Sequence, residues 1–116
     1  MSNTPAVSEQ AIEDLRALNP DDPAFLRELI ELFLQDVPQR IAELEQALAA
    51  GDAVLLTRAA HTVKGSCSNF GAGALAEVAL KMEHQGKSNS FSDAKATLPA
   101  LKAEFAVVDA ALRKYL

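Results

Sequence analysis

The stretch DAVLLTRAAHTVKGSCSNFGAGALAEVALKMEHQG, residues 52–86, decides the fold. Asp52 stands where a helix N-cap belongs, and Leu55, Leu56, Ala59, Val63 and Phe70 follow at helical spacing, with small Ser66 and Cys67 beside them. Gly71 and Gly73 then punctuate a tight turn. A second amphipathic run carries Leu75, Val78, Ala79 and Met82, and Gly86 is expected to stop it before the polar loop Lys87-Ser88-Asn89-Ser90. Two helices of similar length around a glycine turn form an antiparallel hairpin.

The same punctuation extends outward. Upstream, Asp22 and Pro23 open a long helix as N-cap and first-turn proline, and Leu26, Ile30, Phe33, Val37, Leu44 and Leu48 give its stripe. Gly51 closes it, and Pro38 is expected to bend it or to cost it the hydrogen bond to Leu34. Leu32 and Leu34 exceed what one stripe needs. A short helix precedes it, capped by Ser8, striped by Ile12, Leu15 and Leu18, and ended by Asn19-Pro20. Downstream, Ser90 and Asp93 have capping-box spacing, and Ala94, Leu98, Leu101, Phe105, Val108, Leu112 and Tyr115 step by four and three. Pro99 implies a kink or a late start there.

Four amphipathic helices with short connections predict an all-α, antiparallel four-helix bundle at about 22–116, with the additional short N-terminal helix, about 8–18, across one end. Residues 1–116 read as a single domain. Composition agrees: 22 Ala and 16 Leu stand against 14 β-branched residues, which favours helices over sheets.

Charge narrows the partners. Residues 1–53 hold 11 acids and 3 bases, whereas residues 54–90 hold 2 acids and 4 bases, so a mildly basic middle faces an acidic first half. A net charge of −5 argues against nucleic acid as the principal partner, while the basic middle suits an acidic protein surface. The single cysteine, Cys67, excludes an internal disulfide framework and suits a reducing compartment. The first ten residues, MSNTPAVSEQ, lack the basic and apolar regions of an export signal, and no stretch has the ~18 apolar residues of a membrane span. A cytoplasmic monomer is the expectation.

Projected at 100° per residue, Thr57, Arg58, His61, Lys64, Gly65 and Ser68 share the face opposite the apolar stripe. A histidine on such a face is ordinarily a solvated residue, but three neighbours change the reading. Gly65 costs roughly 0.5–1 kcal/mol in a helix interior, and leaving out a side chain one turn from the imidazole lets another protein approach. Lys64, also one turn away, can neutralise negative charge arriving on the ring. Glu83 is the third: 61 and 83 are equidistant from residue 72 in the turn, so the carboxylate lies level with His61. Accepting a hydrogen bond from Nδ1–H, it would fix the tautomer and leave Nε2 as the nucleophile. A salt bridge from Glu83 to Lys87 or Arg58 is the plainer alternative. Arg58 and Lys87 read equally as rim residues steering an acidic partner or as solvated surface. His84 reads as ordinary surface, and His61 and Cys67, about 240° apart around the helix, cannot share a metal.

The run Ala60-His61-Thr62-Val63-Lys64-Gly65-Ser66-Cys67-Ser68-Asn69-Phe70-Gly71 resembles the signature of histidine-containing phosphotransfer (HPt) domains: His, any residue, an aliphatic, Lys-Gly, and small residues before the turn. Asp22 to Leu26 and Leu44 to Asp52 have the same look, and Cys67 stands where a small residue is usual. The resemblance implies a four-helix bundle in which His61 accepts a phosphoryl group at Nε2 from a response-regulator receiver domain and passes it to another. It makes Lys64 the charge-neutralising residue, Gly65 the gap that admits the receiver, and Glu83 the position that orients the histidine. A hybrid sensor histidine kinase would stand upstream. The chain has no glycine-rich phosphate loop and no kinase-type nucleotide motif, so it reads as a phosphocarrier rather than an enzyme. It is expected to bind no cofactor, with Mg²⁺ on the partner receiver. The competing class is a helical adaptor that binds receiver or kinase domains without being phosphorylated. A hydrolytic or metal enzyme would need a ligand set or a nucleophile, base and orienter, and neither is present.

Overall fold

Ser8 and Asp52 cap as their positions predict. The Ser8 hydroxyl accepts from Ala11 N–H at 3.2 Å and opens α1 (Glu9–Leu18), and Asp52 accepts from Leu55 N–H at 3.0 Å and opens α3 (Ala53–Cys67). Between them α2 runs Ala24–Ala50, and α4 (Gly73–Lys87) and α5 (Phe91–Arg113) complete the chain order. These elements come from a computed structural model that describes residues 6–116. Residues 1–5, part of the stretch read for an export signal, lie outside it.

Each helix from α2 to α4 packs on the next, and α5 closes the ring onto α2, tied across by Lys102 Nζ to Glu45 at 3.0 Å. This is the expected four-helix bundle. The buried stripe of α2 is the predicted one as far as Leu44, with Leu48 half-buried at its edge. Phe33 of α2 meets Phe70 at 5.2 Å between ring centroids and Phe105 of α5 at 6.1 Å, so three aromatic rings join three parts of the chain in one core. α1 lies across the end, against α2 and the hairpin tip, where Ser8 N–H donates to Phe70 O at 2.9 Å.

Several boundaries differ from the sequence reading. α2 starts one residue later than a helix capped at Asp22, whose carboxylate nevertheless accepts from Ala24 N–H at 3.0 Å. The last turn before Gly71 tightens into a 3₁₀ turn, Ser68–Phe70, before Gly71 reverses the chain at φ 61°. Gly86 does not stop α4; it lies inside the helix, buried against α3. Ser90 does not form a capping box, because its hydroxyl pairs with that of Ser88 at 2.9 Å. Both prolines are carried inside continuous helices, and α5 begins at Phe91 rather than late. Leu18 and Leu32 are exposed, so neither belongs to the core, whereas Leu34 packs against it.

Candidate functional site

The hairpin of α3 and α4 carries every candidate residue, and its register brings the predicted pair together. His61 Nδ1–H lies 3.3 Å from Glu83 Oε1 across the two helices. The imidazole points outward, with 64% of the side chain exposed, while the Glu83 side chain is only 6% exposed. A carboxylate this buried must be neutralised or paired. It is paired twice more: Lys64 Nζ reaches the same Oε1 at 2.9 Å, and Lys87 Nζ, one turn along α4, reaches Oε2 at 3.2 Å.

Those donors decide the protonation state. The Lys64 ammonium, seconded by Lys87 and by His61 itself, pulls the Glu83 carboxyl down to about 2 against the opposing effect of burial. An ionised carboxylate can only accept, so the hydrogen of this contact sits on Nδ1. In the neutral ring Nε2 then carries the lone pair, on the side away from Glu83.

The sequence left Glu83 open between orienting His61 and making a salt bridge, and the structure gives both at once. Of the two proposed cations, Lys87 is in contact and Arg58 is exposed without an ion pair to Glu83. Lys64 lies against the carboxylate, placing its charge beside the ring through Glu83 rather than over the face of the imidazole.

Gly65 is exposed, and a Cβ built on it would meet nothing within 4 Å. Nothing among the described residues requires glycine there. Ser68 is also exposed, but its hydroxyl is turned back to Gly65 O at 2.8 Å. Thr57, on the same face, is half-buried: its hydroxyl donates to Ala53 O at 2.7 Å, and the residue packs against Gly86.

A shallow groove of about 470 Å³ runs from His61 toward the start of α3, between Val54 and Arg58 on one side and Lys87 and Asn89 on the other. Val54, 73% exposed, lies on the histidine stripe seven residues before His61, so its spacing is the signal that points to it. Gly86 was readable: the arithmetic that pairs 61 with 83 also sets 57 and 58 level with 87 and 86.

Comparison with known proteins shows the family and the fold. The Hpt domain family matches residues 28–111. The phosphorelay protein LuxU of Vibrio harveyi is 28% identical over 91 residues, covering 78% of each chain. The crystal structure of histidine-containing phosphotransfer protein B (HptB) from Pseudomonas aeruginosa PAO1 superposes with a TM-score of 0.87 at 28% identity, over 97% of this chain and 95% of that one. The bundle and the family match together define the class, a histidine phosphotransfer domain. The chain belongs to the Hpt domain family, the histidine phosphotransfer proteins of phosphorelays.

Proposed function

We propose that His61 is the phosphoacceptor of this phosphorelay protein. The observation that carries the reading is the His61–Glu83 contact at 3.3 Å on an otherwise open imidazole, which commits Nδ1 and leaves Nε2 facing outward. In the forward step the Nε2 lone pair attacks the phosphorus of a receiver's aspartyl phosphate. The P–O bond breaks, its electron pair leaves with the aspartate carboxylate, and an Nε2–P bond forms. The ring keeps its Nδ1 hydrogen and gains a positive charge, which the Glu83 carboxylate meets. Transfer to a second receiver is the reverse of this step.

Each remaining residue then has a part. Lys64 neutralises phosphoryl charge, and Gly65 and Ser68 leave a low surface over which a receiver closes. Arg58, Val54 and Lys87 border the groove beside His61 and suit an acidic partner. Thr57 supports that border by packing α3 on α4. The receiver contributes the aspartate and its Mg²⁺; this chain contributes a positioned imidazole and acts as a carrier, not as an enzyme with a nucleotide site of its own. Receivers and a hybrid sensor kinase are the partners this chemistry calls for, and a cytoplasmic monomer is the form that fits. No helix of the described residues is long and apolar enough to cross a membrane.

The test is transfer of labelled phosphate from a panel of phosphorylated receiver domains to the wild type and to His61→Gln. Acid-labile, alkali-stable label on the wild type and none on the variant is the expected result, with helical circular dichroism unchanged. Label on His61→Gln would remove the assignment, and binding without any labelling would leave the adaptor reading.

A further inference from the structure

Lys87 reads from the sequence as a rim residue or as solvated surface, and the structure gives it a more particular place. Among the described residues it is the sole partner of Glu83 Oε2, while Oε1 is shared by His61 and Lys64. The charge count of this cluster follows. Glu83 brings one negative charge and the two lysines bring two positive ones, so with a neutral imidazole the resting cluster carries one surplus positive charge. The transferred PO₃ unit brings one negative charge: the ring becomes positive as the phosphoryl group takes two negative charges. The phosphorylated cluster is therefore neutral. With Lys64 alone it would pass from neutral to negative, next to a carboxylate that is 6% exposed and poorly served by water.

We propose that Lys87 is a positioning residue for phosphoryl acceptance, holding Glu83 through Oε2 so that Lys64 is free to leave Oε1 for the phosphoryl group on His61. This rests on the phosphoacceptor reading of His61 and deepens it. Two features of the geometry support it. Lys64 sits one helical turn from His61, and its reach to Oε1 places it on the ring's own side, so a short swing brings the ammonium from one anion to the other. Lys87 sits one turn from Glu83 on the same helix, which keeps it at the carboxylate whatever α3 does. Arg58, the remaining cation of the groove, makes no ion pair with Glu83 among the described residues and does not replace it.

The experiment uses phosphoramidate as a small phosphodonor, which takes receiver docking out of the measurement, and follows phosphohistidine by NMR or label. Four proteins form a double-mutant cycle: wild type, Lys87→Met, Glu83→Gln and the double variant. Lys87→Met is expected to accept phosphate about 2–5-fold more slowly, as befits a partly exposed charge, and Lys87→Arg to restore the rate. In the Glu83→Gln background the amide still accepts from Nδ1–H but brings no charge. Removing Lys87 there leaves the surplus of one that the wild type has, so its cost should shrink to less than twofold. An equal cost in both backgrounds, or no cost in either, overturns the proposal while leaving His61 as the acceptor. A wild type that takes no label at His61 overturns both.

Discussion

Gly65 and Gly86 sit inside neighbouring helices of one hairpin, and each gives up the same helix propensity, yet opposite reasons keep them. At Gly86 a Cβ would collide with Thr57 Oγ1 and lie 3.0 Å from Thr57 N and 3.1 Å from its Cα, atoms of a backbone that cannot step aside cheaply. That glycine is required by the molecule itself, because it lets α4 approach α3 closely beside the site. At Gly65 the same construction finds open space. A residue that costs stability and solves no internal problem fits the proposed reading, in which a receiver must come near. Residue type alone does not separate a packing glycine from a docking glycine; the neighbouring atoms do.

The comparison can be broken most forcefully at Gly65. Gly65→Arg should cut the rate of transfer from receiver domains by at least tenfold, while the melting midpoint and labelling by phosphoramidate stay close to wild type. Unchanged transfer would show that receivers dock elsewhere. Gly86→Ala should do the converse, destabilising the fold by about 1–3 kcal/mol through overpacking against Thr57, as read by chemical denaturation. A cost below about 0.5 kcal/mol would mean that the two helices part easily.

Between the glycines lies Glu83, and acid sharpens the contrast between structural and functional pairing. Its carboxyl, held down to about 2 in the fold against an ordinary value of 4.5, contributes stability that is present in full above pH ~4.5 and is lost as the pH falls toward 2. Wild type should therefore lose more stability than Glu83→Gln between pH 5 and pH 2.5. Parallel losses would show that the lysine contacts do not hold the charge. The smallest effect is Gly65→Ala, expected to stabilise the bundle by roughly 0.5–1 kcal/mol, since the methyl group meets nothing and the unfolded chain loses freedom.

Much of this was legible because local rules and tertiary packing agree. The stripes of α2 to α5, the caps at Ser8 and Asp52, and the left-handed Gly51 at φ 67° follow from spacing and residue chemistry alone. The His61–Glu83 pairing was legible because a short glycine turn fixes the register of an antiparallel hairpin, which makes sequence distance a measure of height. Features that depend on a side chain choosing between partners were not legible. The Ser90 hydroxyl had a capping role and a neighbouring hydroxyl open to it, and took the latter. Lys64 had ring and carboxylate within reach, and the buried charge won. Local signals make Gly86 a terminator; only the hairpin register, which sets it level with residues 57 and 58, shows that another helix presses on the same spot. Cys67 was legible only as a small residue; burial pushes its thiol up to about 12, which makes it a quiet part of the core.

The way Glu83 is occupied bears on how long a phosphoryl group survives. Hydrolysis needs a base to activate water near phosphorus. Along the hairpin from residue 53 to residue 83 the only acids are Glu77 and Glu83. Glu83 spends its oxygens on His61, Lys64 and Lys87, on the Nδ1 side of the ring. Glu77 stands six residues, roughly 9 Å, further along α4. The exposed phosphoimidazole would thus be wet but unattended, surrounded by cations and by glycine rather than by a general base. On the proposed reading the protein would keep its cargo by offering no base beside it, and the next receiver would supply the machinery that removes it.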